Sequence, residues 1–210
     1  MRLISPRKGV WLLFSTLLTI SLVLSGCGGN GSPTPTTTTP KPTSTTPTGQ
    51  LTFPQGKYQH NDLYENVLMV AYSNDFDTIS VGIKVKTIGW VAIALSPMLS
   101  KNGSDLWIFA VAADGTVTAI DSHDPGYGGG HPSDSPYGTD DLFDITGNEV
   151  NGVTTIEFKR LINTGDTRDV RIVEGPNPFL FAFGSTDNIY EEHNYIGFGT
   201  ITAEKIGHDN

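Results

Sequence analysis

The stretch TISVGIKVK, residues 78–86, decides the fold class of this chain. Its apolar side chains occur at every second position, at Ile79, Val81, Ile83 and Val85. Successive side chains of a β-strand point to opposite faces, so this period of two predicts a strand with one buried face. Apolar residues at the three-to-four-residue spacing of an amphipathic helix are hard to find in the rest of the domain. The stretch therefore favours an all-β fold.

Similar runs recur on both sides of this strand. They predict further strands at residues 66–72, 89–95, 105–112, 116–120, 153–160, 179–183 and 195–202. The pairs Asp114-Gly115 and Asn151-Gly152 accept positive φ and favour tight hairpins between neighbouring strands. About eight short strands with turn signals between them predict a two-sheet, antiparallel, immunoglobulin-like sandwich.

The N-terminus carries an export signal. Three basic residues precede an apolar run at residues 10–24, which is too short to span a bilayer comfortably and has the length of a signal-peptide core. The run leads into LSGC, which ends at Cys27, the single cysteine of the chain. This spacing resembles a bacterial lipobox, whose cysteine is lipidated and becomes the new N-terminus. We therefore predict a lipoprotein signal peptide over residues 1–26 and a lipid on Cys27.

A tether separates Cys27 from the folded domain. Residues 27–50 consist largely of Gly, Ser, Thr and Pro and offer almost nothing to bury. A Pro-rich linker favours extended geometry at about 3.1 Å per residue, so the tether reaches up to roughly 70 Å. The remaining residues, 51–210, are one domain by length. We expect this domain to stand outside the cytoplasm, anchored to the cell membrane or outer membrane without crossing it.

Charge and cysteine usage exclude several function classes. The chain has 22 acidic and 13 basic residues, and without the basic residues of the signal peptide its charge is about −12, which argues against nucleic acid as a partner. A lipidated Cys27 leaves no thiol for a disulfide, a cysteine-ligated cluster or a covalently attached c-type haem. No nucleophile-elbow motif appears, and enzymatic turnover is disfavoured.

Two connections between predicted strands carry ligand-type side chains. Met98 follows the strand at 89–95, and His193 follows the strand at 179–183. If these two strands point the same way, their following loops share one rim of the sandwich, and Met98 and His193 could face each other across a planar cofactor. Imidazole and thioether form a common axial pair for haem iron.

The ordered motifs of the domain resemble those of the DOMON family. They are GWVAIALSP, GSDLWIFAV, DGTVTAID, NGVTTIEFKRLI, FLFAFG and a late histidine before YIGFG, and they cover nearly all of residues 60–203. The resemblance implies a β-sandwich located outside the cytoplasm that binds either b-type haem or sugars. Cytochrome-type members use a methionine after the GW strand and a histidine near the C-terminus. The resemblance thus implies Met98 and His193 as ligands of haem b.

One departure from the family pattern makes Lys101 a competing ligand. The family methionine stands about four residues before the aspartate that is Asp105 here, and that slot holds Lys101, whereas Met98 comes three residues earlier. Related haem domains of the ethylbenzene dehydrogenase type use lysine as a ligand. Trp90 is expected to pack against the porphyrin and Arg160 to pair with a propionate, although core packing for Trp90 and surface charge for Arg160 are the more ordinary roles.

The segment 121–141 is dense in Gly, Pro and Asp and predicts a long loop. Its histidines and aspartates suggest a metal site or another source of a haem ligand, but their spacing matches no defined motif, and a solvated acidic loop is the preferred interpretation. The residues concerned are His123 and His131 with Asp121, Asp124 and Asp134, and for calcium Asp140, Asp141 and Asp144.

The sequence as a whole predicts a lipid-anchored, haem-binding electron-transfer domain. With both axial positions filled, the iron has no site for oxygen or substrate and transfers electrons only. A redox protein or a surface dehydrogenase is the expected partner. Two alternatives remain open, a carbohydrate-binding module of the same fold and a docking subunit of a surface enzyme complex.

Overall fold

The computed structural model describes residues 51–126 and 131–206. Among these residues there are ten strands and no helix, hence no helix that could span a membrane. The signal peptide, Cys27 and the tether lie outside the described residues. The strands are β1 His60–Tyr64, β2 Leu68–Asn74, β3 Thr78–Val85, β4 Val91–Leu95, β5 Asp105–Val111, β6 Val117–His123, β7 Leu142–Val150, β8 Val153–Leu161, β9 Gly175–Phe183 and β10 Tyr195–Ala203.

The strands form two five-stranded sheets, and every pairing is antiparallel. The first sheet has the order β1-β2-β3-β8-β7 and the second has the order β10-β9-β4-β5-β6. The sheets pack face to face as a sandwich, which confirms the predicted fold class. The stretch that predicted it is β3, and its side chains Ile79, Val81 and Ile83 are all buried in the core between the sheets.

Turn chemistry fixes the two hairpins that the sequence predicts. Asn151 and Gly152 both have positive φ, 54° and 75°, between β7 and β8, as a two-residue hairpin turn requires. Gly115 has φ 86° between β5 and β6, and Ala112 N donates to Thr116 O at 2.8 Å. Both hairpin predictions are confirmed.

Three elements differ from the predicted strands. β1 and β7 were not predicted, and β9 begins four residues earlier than the run at 179–183 because it includes Pro176 and Pro178. Proline is tolerated where a strand lacks a partner on one side. β4 pairs only with residues 179–183 of β9, so both prolines lie where β10 is the only neighbouring strand.

The centre of the second sheet is covered on both faces. Every residue of β4 and of β5 is buried, although an antiparallel sheet in a sandwich commonly leaves its outer face to water. The inner face packs into the main core with Trp107, Phe109 and Phe181. The outer face carries a second, smaller apolar cluster, and this cluster forms the floor of the candidate site.

The relative direction of β4 and β9 overturns one expectation. Val91 pairs with Phe183 and Leu95 with Phe179, so the two strands run antiparallel. The loop after β4 and the loop after β9 therefore leave the sheet at opposite ends, and the premise of a shared rim is wrong. The direction in which a strand runs depends on the connection that leads into it. The side-chain pattern of β4 or of β9 alone does not indicate that direction.

Candidate functional site

The outer face of the second sheet forms an apolar trough. Ala92 in the central strand β4 lies between Ala182 of β9 and Ile108 of β5. Ala94, two residues along the same strand, lies between a leucine of β9 and a leucine of β5. Small side chains on the central strand flanked mainly by larger ones leave a depression along β4. An apolar, concave surface of this kind is typical of a site for a small ligand or cofactor.

A cleft of about 210 Å³ lies on this trough. Its lining is Trp90, Ala92, Ala94, Lys101, Leu106, Ile108, His131, Leu180, Phe181, Ala182, His193 and Ile196. Three of these residues, Lys101, His131 and His193, carry side-chain nitrogens that can bind a metal ion, and the rest are apolar or aromatic. The same three also line an adjoining cavity that extends towards Tyr190. The cleft therefore combines an apolar floor with metal-ligating nitrogen atoms.

Lys101 and His131 meet in the cleft through a shared carboxylate. Asp124 Oδ2 lies 3.6 Å from Lys101 Nζ and 3.8 Å from His131 Nδ1. Burial lowers the pKa of His131, the positive charge of Lys101 lowers it further, and Asp124 opposes both effects. The neutral imidazole, which is the form that binds metals, is thus favoured.

His193 reaches the cleft from the loop between β9 and β10. That loop is fixed to β4 by hydrogen bonds from Trp90 N to Thr186 O and from Gly184 N to Trp90 O, both at 2.9 Å. Gly184 leaves room for the indole of Trp90, because a Cβ there would lie 2.3 Å from Trp90 Nε1. Trp90 Nε1 is buried and has no hydrogen-bond partner within the described part of the chain.

Met98 and Lys101 share one loop but occupy different environments. Met98 is 84% exposed and is not among the residues that line the cleft, whereas Lys101 lines both the cleft and the adjoining cavity. The turn that presents Met98 is held by Leu99 N donating to Ser96 O at 3.0 Å.

The DOMON domain family matches residues 62–184 of the chain, well over half of its length. This chain belongs to the DOMON family. Among solved structures, the cytochrome domain of Myriococcum thermophilum cellobiose dehydrogenase aligns with a TM-score of 0.51 and 11% identity, over 70% of this chain and 82% of that chain. At this identity the likeness shows the fold. DOMON domains are binding or electron-transfer modules rather than catalytic domains.

Two further structures are carbohydrate-binding modules of family 9 from Caldicellulosiruptor kristjanssonii. The complex with glucose aligns with a TM-score of 0.36 and 11% identity, over 71% of this chain and 82% of that chain. The complex with cellotriose has a TM-score of 0.36 and 10% identity, over 71% of this chain and 80% of that chain.

Arg160 is not among the residues that line the cleft. Its side chain is 0% exposed, and Nη2 lies 2.8 Å from Asp105 Oδ2 and 2.9 Å from Asp169 Oδ2. The expectation of a surface charge is therefore wrong. The alternation of β8 carried the signal, since Ile156, Phe158 and Arg160 occupy one face and all three are buried. Trp90, by contrast, is buried and also lines the cleft.

The acidic loop of this DOMON domain is only partly solvated. Asp140 is exposed, as a solvated loop predicts, and Asp144, which is also exposed, lies on β7. Asp121, Asp124 and Asp134 are buried instead, so the expectation is wrong for these three residues. Composition alone gave no signal for this burial, because it depends on partners contributed by other strands.

Proposed function

We propose that this DOMON domain binds one b-type haem in the cleft on its second sheet and transfers electrons outside the cytoplasm. The observation that carries the proposal is the alanine trough along β4 with the side-chain nitrogens of Lys101, His131 and His193 in its lining. An apolar floor suits a flat macrocycle, and imidazole and amine nitrogens suit its iron. When bound, the haem supplies a one-electron redox centre.

The residues of the cleft fit such a group. Ala92, Ala94 and Ala182 leave space where larger side chains would fill the trough. The indole N–H of Trp90, which is buried without an acceptor in the described chain, is available to a polar edge of the ligand. A pyranose needs several polar partners for its hydroxyl groups, and the mainly apolar lining offers few, so the cleft favours haem over sugar.

His193 and Lys101 are the residues that would hold the haem iron, and both line the cleft. Lys101 lines the cleft and also occupies the sequence slot four residues before Asp105. Met98, the other candidate, is largely exposed. His131 stands beside Lys101 at the carboxylate of Asp124 and is the third candidate nitrogen in the cleft.

Visible absorption spectra of the haem-reconstituted protein and four single variants test this assignment. Wild type should show a Soret band and a low-spin spectrum. His193→Ala should lose stable haem binding, Lys101→Ala should become high-spin, and His131→Ala should stay low-spin. Met98→Ala is the matched control from the Lys101 loop and should resemble wild type.

Each other outcome has a definite meaning. A high-spin spectrum in His131→Ala with a low-spin Lys101→Ala would transfer the second ligand to His131. A high-spin spectrum in Met98→Ala would identify the Met98 thioether as the ligand. It would also mean that the loop moves Met98 into the cleft when haem binds. A wild-type protein that takes up no haem would remove the proposed function.

The location of this electron carrier is proposed from the sequence. Cys27, at the end of LSGC, is proposed to carry the lipid, and the Thr/Pro tether to hold the domain away from the membrane. Cys27→Ser should release the protein from the membrane fraction or block its processing. The strong negative charge of the domain favours a redox partner with a basic docking surface.

A further inference from the structure

Four buried carboxylates converge at a place remote in sequence from the haem ligands. Asp105 begins β5 and Asp121 lies on β6, while Asp134 and Asp169 come from the connections after β6 and after β8. Their side chains are almost completely enclosed, and carboxylate oxygens of Asp105, Asp121 and Asp169 lie within 4.8 Å of one another. Asp134 borders this group of three: its N donates to the backbone oxygen of Asp121 at 3.0 Å, and its carboxylate is close enough to act electrostatically on that of Asp121.

Most oxygens of this cluster lack a hydrogen-bond donor. Both carboxylate oxygens of Asp134 and of Asp169, together with Oδ1 of Asp105 and of Asp121, are buried with no donor anywhere in residues 51–126 and 131–206. Asp169 Oδ2 is 2.9 Å from the guanidinium of Arg160, but the contact lacks hydrogen-bond alignment. Buried polar atoms are normally satisfied, and each one left without a partner costs about 1–3 kcal/mol.

The charges of the cluster do not balance either. Arg160 contacts Asp105 and Asp169, and Arg168 lies 4.0 Å from Asp134 Oδ1. Four carboxylates against these two guanidinium groups leave two negative charges in a buried environment.

We propose that Asp105, Asp121, Asp134 and Asp169 form a calcium-binding site. One divalent cation matches the two uncompensated charges, and the donorless oxygens are available as its ligands. The cluster offers only oxygen donors, which suit a hard cation and not zinc or copper. Carboxylates from four separate segments suit the flexible coordination of Ca²⁺ better than the strict octahedron of Mg²⁺.

Such an ion would join two strands and two connections of the second half of the fold. It would brace the loop that carries His131, which is three residues before Asp134. The site does not depend on haem, because none of its carboxylates lines the cleft.

Thermal unfolding of the full-length protein without haem tests the site. After chelator treatment, added calcium should raise the melting temperature in a saturable way, and Mg²⁺ should do so much less. A ligand present at 100 times its dissociation constant should shift the melting temperature of a chain of this size by roughly 5–10 °C. No saturable shift, or an equal shift with Mg²⁺, would overturn the proposal.

Two variants separate a calcium ligand from a structural residue. Asp134→Asn keeps the side-chain shape and removes one negative charge that has no donor. It should match or exceed wild type in melting temperature without calcium, yet lose most of the calcium response. Asp144→Asn is the control, since Asp144 is an exposed carboxylate paired with Lys159, and its calcium response should equal that of wild type. A full response in Asp134→Asn would refute the assignment.

Terbium luminescence gives a second readout at the site. Trp107 lies next to the cluster, with its ring 5.5 Å from the guanidinium carbon of Arg160, so tryptophan excitation should sensitise a Tb³⁺ ion bound there. The emission should saturate in wild type, fall when calcium is added, and be at least ten-fold weaker in Asp134→Asn. Emission of equal strength in Asp134→Asn would place the ion elsewhere and contradict the proposal.

Discussion

Replacing Arg160 with methionine should strongly destabilise the fold. The side chain is fully buried, its Nη2 contacts Asp105 and Asp169 at 2.8 and 2.9 Å, and it donates to Val170 O at 3.2 Å. Methionine retains an apolar stem of similar reach but leaves two carboxylates and one carbonyl without their partner. Removal of one member of a buried ion pair costs about 3–5 kcal/mol. For a chain of this length that loss lowers the melting temperature by roughly 6–20 °C.

Urea unfolding followed by tryptophan fluorescence, in the presence of chelator, measures this loss. Adding Asp105→Asn to Arg160→Met should recover part of the stability, because the amide removes one uncompensated buried charge. Lys159→Met is the matched control on the same strand. Lys159 is exposed and pairs with Asp144 at 2.9 Å, so its loss should change the free energy of unfolding by less than about 1 kcal/mol. An Arg160→Met protein within 1 kcal/mol of wild type would refute the reasoning that the buried carboxylates of Asp105 and Asp169 depend on Arg160.

Two more predictions concern the pH dependence of stability and the shape of the cleft. The folded-state pKa values are about 7 for Asp121 and about 6 for Asp134, and both lie above the value of an aspartate in the unfolded chain. The folded chain therefore binds more protons than the unfolded chain, and the stability that this proton binding contributes is lost as pH rises through 6 and 7. In chelator, the free energy of unfolding should therefore increase as pH is lowered from 8 to 5.5, and urea titrations that show the opposite trend would contradict the burial of these carboxyls. Ala94→Leu should fill the trough and weaken haem uptake at least ten-fold in a spectral titration. Ala110 is also on the outer face but outside the cleft. Ala110→Leu should destabilise the fold by about 1–3 kcal/mol, as Ala94→Leu should, but leave haem affinity unchanged. Equal haem uptake by both variants would argue against the trough as the binding surface.

Local sequence pattern determined eight of the ten strands, two hairpins and much of the candidate site. The period of two in residues 78–86 predicted β3, and Asn151-Gly152 predicted the turn between β7 and β8. These features depend on side-chain alternation and on the φ angles that a residue accepts, and both are properties of neighbouring residues. Lys101 and His193 were named from motif order, and both line the cleft.

Tertiary structure alone decided how these pieces meet. β4 and β9 pair antiparallel, so the loops that carry Lys101 and His193 leave the sheet at opposite ends, and yet both side chains line the same cleft. Strand direction is set by the long connections and by pairing between distant residues, which no local pattern encodes. Even the choice between two residues of one loop, Met98 outside the cleft and Lys101 inside it, follows from how the loop folds back over the sheet.

The buried carboxylates make the same division clear. An Asp-rich loop looks solvated by composition, because an isolated carboxylate loses much solvation energy on burial. Asp121 and Asp134 are nevertheless buried, since β8 brings Arg160 against the group and the connection after β8 adds Arg168. Sequence determines which residues could form a charged cluster, but only the folded chain brings segments some sixty residues apart into contact and offsets the cost of burying them.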